Sequence, residues 1–277
     1  TYSLFQMLKA VFFDFDGTLS DDGIAIDNAL RTACSLIVKK WPEIDPAALE
    51  DRYRAASDHA WDNYDRYLRP LESGQAILVS LWKKALEEFN HHDEDTENRA
   101  AETYWQQRLI NCRPFPDVVS CLSGLESRFH LSILTNGASG MQRSKIDATG
   151  IAHFFKDIFV GGEFPVGKPE PFIFDKALKR AGCQPYQAIY VGDSLLHDVA
   201  GANNSGIHSV WLNRKKRKKE ALLETFTGPS GQPFKQLTRS AYYEPTGKSK
   251  DISELFVPDS EIDNLDVLAS TLEKLPF

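Results

Sequence analysis

The stretch Lys9-Ala-Val-Phe-Phe-Asp-Phe-Asp16, followed by Gly17, constrains this chain more than any other. It is a short β-rich apolar run that ends on carboxylates. A strand covered on both faces reads as a continuous apolar run rather than as an alternation. Similar runs follow at 131–135, 158–160, 188–192 and 209–212, and helical patterns over 139–149, 171–181 and 197–204 separate most of them. Strands alternating with helices predict an α/β fold built on a parallel sheet.

Residues from about 22 to 112 read differently. No convincing strand occurs there, and helical periodicity dominates. The segment is rich in aromatics (Trp41, Tyr53, Trp61, Tyr64, Tyr67, Trp82, Phe89, Tyr104, Trp105) and punctuated by Pro42, Pro46, Pro70 and Gly74. It predicts a helical insertion of four or five helices after the first strand, with 111–116 as the return linker. The expected division is therefore a core of 1–21 and 112–277 and an inserted helical domain of 22–111. Residues 258–274 predict an edge element and a short amphipathic helix carrying Leu265, Leu268 and Leu272.

The 277 residues, 42% of them hydrophobic, suffice for one core or for a core with a smaller companion. The net charge of −7 hides an asymmetry. Residues 214–250 hold ten Lys/Arg against three Asp/Glu, so the rest of the chain is strongly acidic. An acidic body argues against a nucleic-acid partner. The run Arg214-Lys-Lys-Arg-Lys-Lys219 opens a basic, loop-rich insertion of about 214–257; residues 214–250 read as a solvated peripheral loop dispensable for hydrolysing a small generic phosphate ester, with nucleic-acid or anionic-membrane contact and nuclear targeting as the alternatives. No apolar run approaches the roughly 18 residues that span a bilayer, and the N-terminal stretch lacks the marks of a secretory signal. Cys34, Cys112, Cys121 and Cys183 form no CxxC pair and read as reduced thiols. A cytoplasmic protein without a membrane partner is expected; the oligomeric state is not readable.

Open parallel sheets bind ligands outside the carboxyl ends of their strands. Three polar signals sit at such ends: Asp14-Phe-Asp16-Gly-Thr18, Thr135-Asn136-Gly137, and Gly192-Asp193-Ser-Leu-Leu-His-Asp198. A fourth, Gly167-Lys168-Pro169, lies in the loop after the run near 158. On a regular strand Asp14 and Asp16 would face one side, with Phe15 opposite. Adjacent acids need a cation or a shared proton, and Asp193 adds a third carboxylate. Oxygen donors without His or Cys suit Mg²⁺, which also binds phosphate oxygens. Lys168 adds a compact positive charge for the same phosphate. Thr135 offers a hydroxyl, and the amides of Asn136 and Gly137 can donate where the chain turns into a helix.

This set resembles the haloacid dehalogenase-like hydrolases. The likeness covers about 9–19 and 112–213: DxDGT at Asp14 to Thr18, then Thr135 with Asn136, then Lys168 in GKPEP, then GDxxxxD at Asp193 and Asp198. It implies a Rossmann-like core with residues 22–111 as a helical cap. It implies that Asp14 attacks phosphorus to form an aspartyl-phosphate and that Asp16 protonates the leaving oxygen and then activates water. It further implies Mg²⁺ held by Asp14, the backbone carbonyl of Asp16 and Asp193, with Asp198 orienting Asp193 or a metal-bound water. Thr135, Asn136, Gly137 and Lys168 would hold phosphoryl oxygens. The implied enzyme is a phosphoric monoester hydrolase acting on a small phosphorylated metabolite, a sugar phosphate or nucleoside monophosphate. The wording LTNG, VGGEF…GKPEP and YVGDSLLHDVAGANNSGIHSVWLN is similar to the N-acylneuraminate-9-phosphatase and pyrimidine-nucleotidase branch.

Other readings share parts of this pattern. A dehalogenase needs neither a metal nor a proton donor, and Asp16 speaks against it. A phosphomutase has the same first step. A phosphonate hydrolase needs a Schiff-base lysine, whereas Lys39, Lys40, Lys83 and Lys84 read as solvated helix faces. A non-catalytic binding protein would have no use for the intact set. For substrate choice, Arg54, His59, Trp61, Arg66, Tyr67 and Arg69 are the inserted domain's polar and aromatic candidates.

Overall fold

A computed structural model of the chain describes residues 7–62, 64–71, 73–219 and 252–273. Their contacts divide the chain into two units: 1–20, 114–136 and 150–277 in the first, 21–113 and 137–149 in the second.

The first unit is built on six parallel strands in the order β3-β2-β1-β4-β5-β6. They are β1 (Ala10–Phe13), β2 (His130–Thr135), β3 (Asp157–Val160), β4 (Ala188–Gly192), β5 (His208–Leu212) and β6 (Ser260–Ile262). This is the parallel α/β sheet that the alternating pattern predicts and the Rossmann-like core that the resemblance implies. Strand β1 lies in the middle, with Val11 level with Leu131 on one side and Ile189 on the other. All four of its residues are buried, so both faces of the sheet are covered there. Phe12 packs with Leu134, Ile173, Phe174, Leu178 and Tyr190, which brings helix Pro171–Ala181 onto one face. Burying an aromatic of that size contributes about 1.5–3 kcal/mol. The C-terminal elements follow the expected pattern: β6 is the edge strand, and Leu265, Leu268 and Leu272 are buried around helix Leu268–Leu272.

The second unit is helical: Asp22–Lys40, Pro46–Asp62, Gly74–Glu87 and Glu94–Asn111, with a short turn at Tyr64–Tyr67. None of its described residues adds a strand to the sheet. Its core gathers Leu30, Ile37, Tyr53, Leu81, Trp82 and Tyr104. The Tyr53 ring lies 4.2 Å from that of Trp82 and 5.1 Å from that of Tyr104. Helix Ser139–Thr149 groups with this unit by its contacts, and Met141 joins the aromatic-rich cluster. Among the specificity candidates, Arg54 pairs with Asp27 at 2.7 Å, His59 meets Tyr67 with ring centres 5.3 Å apart, and Trp61 stacks on Tyr64 at 5.7 Å. Arg69 lies 5.2 Å over the Tyr64 ring, and the Arg66 side chain falls outside the described residues. Lys40 pairs with Asp93 at 2.5 Å. No helix among the described residues is long and apolar enough to cross a membrane.

Candidate active site

Strand order turns back on itself between β1 and β4, and ligand crevices open at the carboxyl ends of such a switch. Strand β1 stops at Phe13, so Asp14 is the first residue beyond it, although its N–H still donates to the Val191 carbonyl at 2.9 Å. Asp16 and Gly17 belong to a tight loop in which Gly17 donates to Ser20 O at 3.0 Å and Ser20 to Phe15 O at 2.9 Å. The strand pleat therefore does not govern Asp14 and Asp16 as the sequence reading supposed. Phe15 is nonetheless fully buried, Asp14 buried and Asp16 half-buried.

Lys168 ties the site together. Its ammonium donates to Asp14 Oδ1 at 2.7 Å, to Asp198 Oδ1 at 2.7 Å and to the Tyr190 hydroxyl at 2.8 Å, which uses all three protons. Tyr190 OH in turn lies 2.9 Å from Leu134 O and 3.0 Å from Asp198 Oδ1. Burial disfavours a charged Lys168, but Asp14 and Asp198 outweigh it and push its pKa up. The two carboxylates thus favour the charged form of the lysine.

Asn136 holds the Lys168 loop from the end of β2. Its Nδ2 donates to Lys168 O and its Oδ1 accepts from Lys168 N–H, both at 2.8 Å. The side chain expected to meet phosphoryl oxygens is thus committed to positioning Lys168. A Cβ on Gly167 would lie 2.4 Å from Asn136 Oδ1, so this clasp requires glycine there. Thr135 is buried at the same strand end, with Oγ1 3.3 Å from Asn136 O. Gly137, at φ +107°, opens the stretch grouped with the second unit.

Asp193 follows β4. Its carbonyl accepts from the Trp211 indole at 3.0 Å and from Arg217 Nη2 at 2.8 Å, and its Oδ2 lies 3.2 Å from the same nitrogen. Asp198 was expected to orient Asp193 or a metal-bound water. Lys168 and Tyr190 lie against its Oδ1, and the Ser194 N–H donates to its Oδ2 at 2.9 Å. It thus acts on the lysine and on the loop that carries Asp193. A Cβ on Gly192 would come within 2.3 Å of Asp198 Cγ, so the backbone must be bare for this carboxylate to tuck in.

One carboxylate oxygen each from Asp14, Asp193 and Asp198 lies within 4.8 Å of the others. Burial first, and then Asp198 and Asp193 against the opposing pull of Lys168, push Asp14 up to about 8. Burial and Asp198 likewise raise Asp193 to about 6 against Arg217 and Lys168. Three carboxylates facing Lys168 and Arg217 are short of positive charge. An all-oxygen donor set with that deficit fits a hard divalent cation. Asp14 and Asp193 suit it best, because Asp198 already accepts from the Lys168 ammonium and the Ser194 N–H and lies against the Tyr190 hydroxyl.

Three residues of this site escaped the sequence reading: Tyr190, Trp211 and Arg217. Tyr190 carried a signal, a hydroxyl inside an otherwise apolar strand, which must find a buried partner. The basic insertion also needs correcting as a single peripheral loop. Arg214 makes two bonds to Asp117, at 2.8 and 2.9 Å, donates to Thr18 O at 3.1 Å and covers the Phe115 ring at 3.9 Å. At the other end, Phe256 is buried with Leu195, Leu196, Val199 and Trp211. Residues 220–251 lie outside the described residues.

Fold and site together define a phosphate-directed α/β hydrolase core, and the comparisons place it. The haloacid dehalogenase-like hydrolase family model matches residues 8–206. The chain belongs to the haloacid dehalogenase-like hydrolases. It is 32% identical to the glyceraldehyde 3-phosphate phosphatase of Methanopyrus kandleri, over 76% of this chain and 86% of that protein. It is 31% identical to the N-acylneuraminate-9-phosphatase of Mus musculus, over 76% and 84%. It is 34% identical to the pyrimidine 5'-nucleotidase YjjG of Escherichia coli, over 67% and 80%. Among solved structures, the HAD-hydrolase YfnB of Bacillus subtilis bound to magnesium shares the fold at a TM-score of 0.67 and 20% identity, covering 96% of this chain and 98% of that one.

Proposed function

We propose that this protein is a magnesium-dependent phosphomonoesterase that hydrolyses a small phosphorylated metabolite through an aspartyl-phosphate on Asp14. The observation that carries the reading is the Lys168 knot, a buried ammonium bonded to Asp14 and Asp198 at the switch point of the sheet, beside Asp193. The three relatives act on a triose phosphate, a sugar acid phosphate and a nucleotide by their names. What they share is the phosphomonoester, so the reading commits to that bond and, within it, to a sugar phosphate or nucleoside monophosphate.

In this reading Asp14 attacks phosphorus. An Asp14 O–P bond forms, the ester O–P bond breaks, and Asp16 gives its proton to the leaving alcohol oxygen. Asp16 then takes a proton from water, the water oxygen attacks phosphorus, and Asp14 and inorganic phosphate separate. Lys168, held by Asn136, Asp198 and Tyr190, fixes Asp14 Oδ1 and sets a positive charge beside the reacting phosphoryl group. Thr135 and the amides at Asn136 and Gly137 are proposed to bind phosphoryl oxygens. Mg²⁺, held by Asp14, Asp193 and the backbone carbonyl of Asp16, would neutralise phosphoryl charge. Residues 22–111 are proposed as the cap that selects the substrate.

The test is phosphate release from a panel of phosphorylated metabolites, before and after EDTA and after Mg²⁺ is restored. Activity should vanish with EDTA and return with Mg²⁺. Full turnover in EDTA would refute the metal dependence and revive a metal-free dehalogenase chemistry.

A further inference from the structure

The run 214–219 is not uniform. Lys215, Lys216 and Lys218 are exposed, while the two arginines are partly buried and bonded to the body of the first unit. Asn213, at the end of β5, builds the turn that aims Arg217. Its N–H donates to Ile262 O at 2.7 Å, which anchors it to β6. Its Oδ1 accepts from Arg217 N–H at 2.8 Å, and its Nδ2 donates to Arg217 O at 2.9 Å and to Glu261 Oε1 at 2.7 Å. Lys216 N–H closes the turn on Asn213 O at 3.0 Å. Arg217 is therefore held by its backbone while its guanidinium reaches back to Asp193.

There one nitrogen spans two acceptors, the Asp193 carbonyl at 2.8 Å and Oδ2 at 3.2 Å. This restrains the peptide and the carboxylate of one residue together. A flexible lysine would hold such a pair less well than a planar guanidinium. Trp211 adds a second donor to the same carbonyl. We propose that Arg217 is a positioning residue for the cation-binding carboxylate of Asp193, an inference that rests on the magnesium-dependent reading above. The basic run thereby supplies part of the active-site framework.

The two ways in which Arg217 can act on a bound cation have opposite signs. As a positioning group it presents Asp193 in one orientation, and its loss weakens binding; partners of metal ligands typically contribute 10–100-fold in metal affinity. As a mere neighbouring positive charge it repels the cation, and its loss tightens binding. The experiment is calorimetric titration of metal-stripped protein with MgCl2, without substrate, for wild type, Arg217→Gln, Arg217→Lys and the exposed control Lys215→Gln, with Tm recorded for each. Arg217→Gln should weaken Mg²⁺ binding about tenfold, Arg217→Lys by less, and Lys215→Gln should match wild type. If Arg217→Gln destabilises the fold, Arg217→Lys, which keeps the charge, carries the comparison. Unchanged or tighter binding in the Arg217 variants would overturn the proposal. A wild-type protein that binds no Mg²⁺ would instead remove the metal-dependent reading on which it stands.

Discussion

Each unit buries a cluster of charges, and the two clusters are balanced in opposite ways. In the first unit Asp14, Asp193 and Asp198 face Lys168 and Arg217, and Asp14 is pushed up to about 8 by burial and by its acidic neighbours despite Lys168. In the second unit a single acid, Asp22, faces two cations. Arg108 donates to it at 2.5 Å and Lys145 lies 4.0 Å away. Burial works against the charged carboxylate there too, yet Lys145 and Arg108 outweigh it and hold Asp22 below the usual range. The second cluster ties together the helices that carry its members. The first sets three carboxylates against two cations, an oxygen donor set that could hold a divalent cation. A buried charge by itself marks nothing; the sign of its imbalance separates a working site from a strut.

The largest effect should come from exchanging the roles of these acids. Asp14→Asn should lower phosphate release by about 10⁴-fold or more, because an amide cannot serve as the nucleophile. It should leave Tm unchanged or higher, since it relieves an excess of carboxylates. Asp22→Asn should do the reverse, removing the carboxylate that Arg108 and Lys145 face and costing about 3 kcal/mol of stability. Chemical denaturation followed by tryptophan emission reads this directly, because Trp41, Trp61, Trp82 and Trp105 lie in the second unit. Equal effects of both substitutions on stability would erase the distinction between the clusters.

Asp16 sharpens the contrast within the first unit. As general acid it should contribute about 10²–10⁴-fold. The penalty for Asp16→Asn should be smaller for an aryl phosphate than for an alkyl phosphate, because a phenolate leaves with little help. Water attack on the intermediate also uses Asp16, so the comparison belongs on the burst of alcohol or phenol release. Equal penalties on both burst rates would show that Asp16 is not the proton donor.

Much of this was legible in the sequence because buried parallel strands leave unbroken apolar runs bounded by glycine. The runs at 131–135 and 188–192 and the helical patterns at 139–149 and 171–181 correspond to β2, β4 and two helices within one residue. Asp14 and Asp193 were legible because each follows directly on a strand end, and Asp198 because it lies five residues beyond Asp193 in the same stretch. Arg217 was not. In a run of six basic residues every side chain looks solvated, and only the turn closed by Asn213 decides which of them faces inward. The only available clue was that arginine, not lysine, occupies positions 214 and 217. Asp198 was legible, but its bonds to Lys168 and Tyr190 were not. Spacing along a chain cannot say that a lysine thirty residues upstream will reach the same carboxylate. The stretch 195–204 came out as a π-helical turn followed by one short α-helical turn rather than the single helix over 197–204.

The smallest effect is on pH dependence, and it has opposite signs in the two clusters. Asp22 has its folded-state pKa lowered, so the stability it contributes is present above the unfolded value of about 4 and is lost as pH falls through the folded value. Asp14, in protein stripped of metal, has its folded-state pKa raised to about 8. The folded state then holds more protons than the unfolded state between about pH 4 and pH 8, so stability declines as pH rises across that window. Denaturation curves of the chelated protein should therefore show an acid-side loss that Asp22→Asn removes and a neutral-side decline that Asp14→Asn removes. Mg²⁺ should flatten only the second, because it supplies the missing charge to Asp14 and has no deficit to fill at Asp22. A Mg²⁺ effect on the acid limb, or none on the neutral limb, would mean that the carboxylate excess beside Lys168 is not what a cation answers.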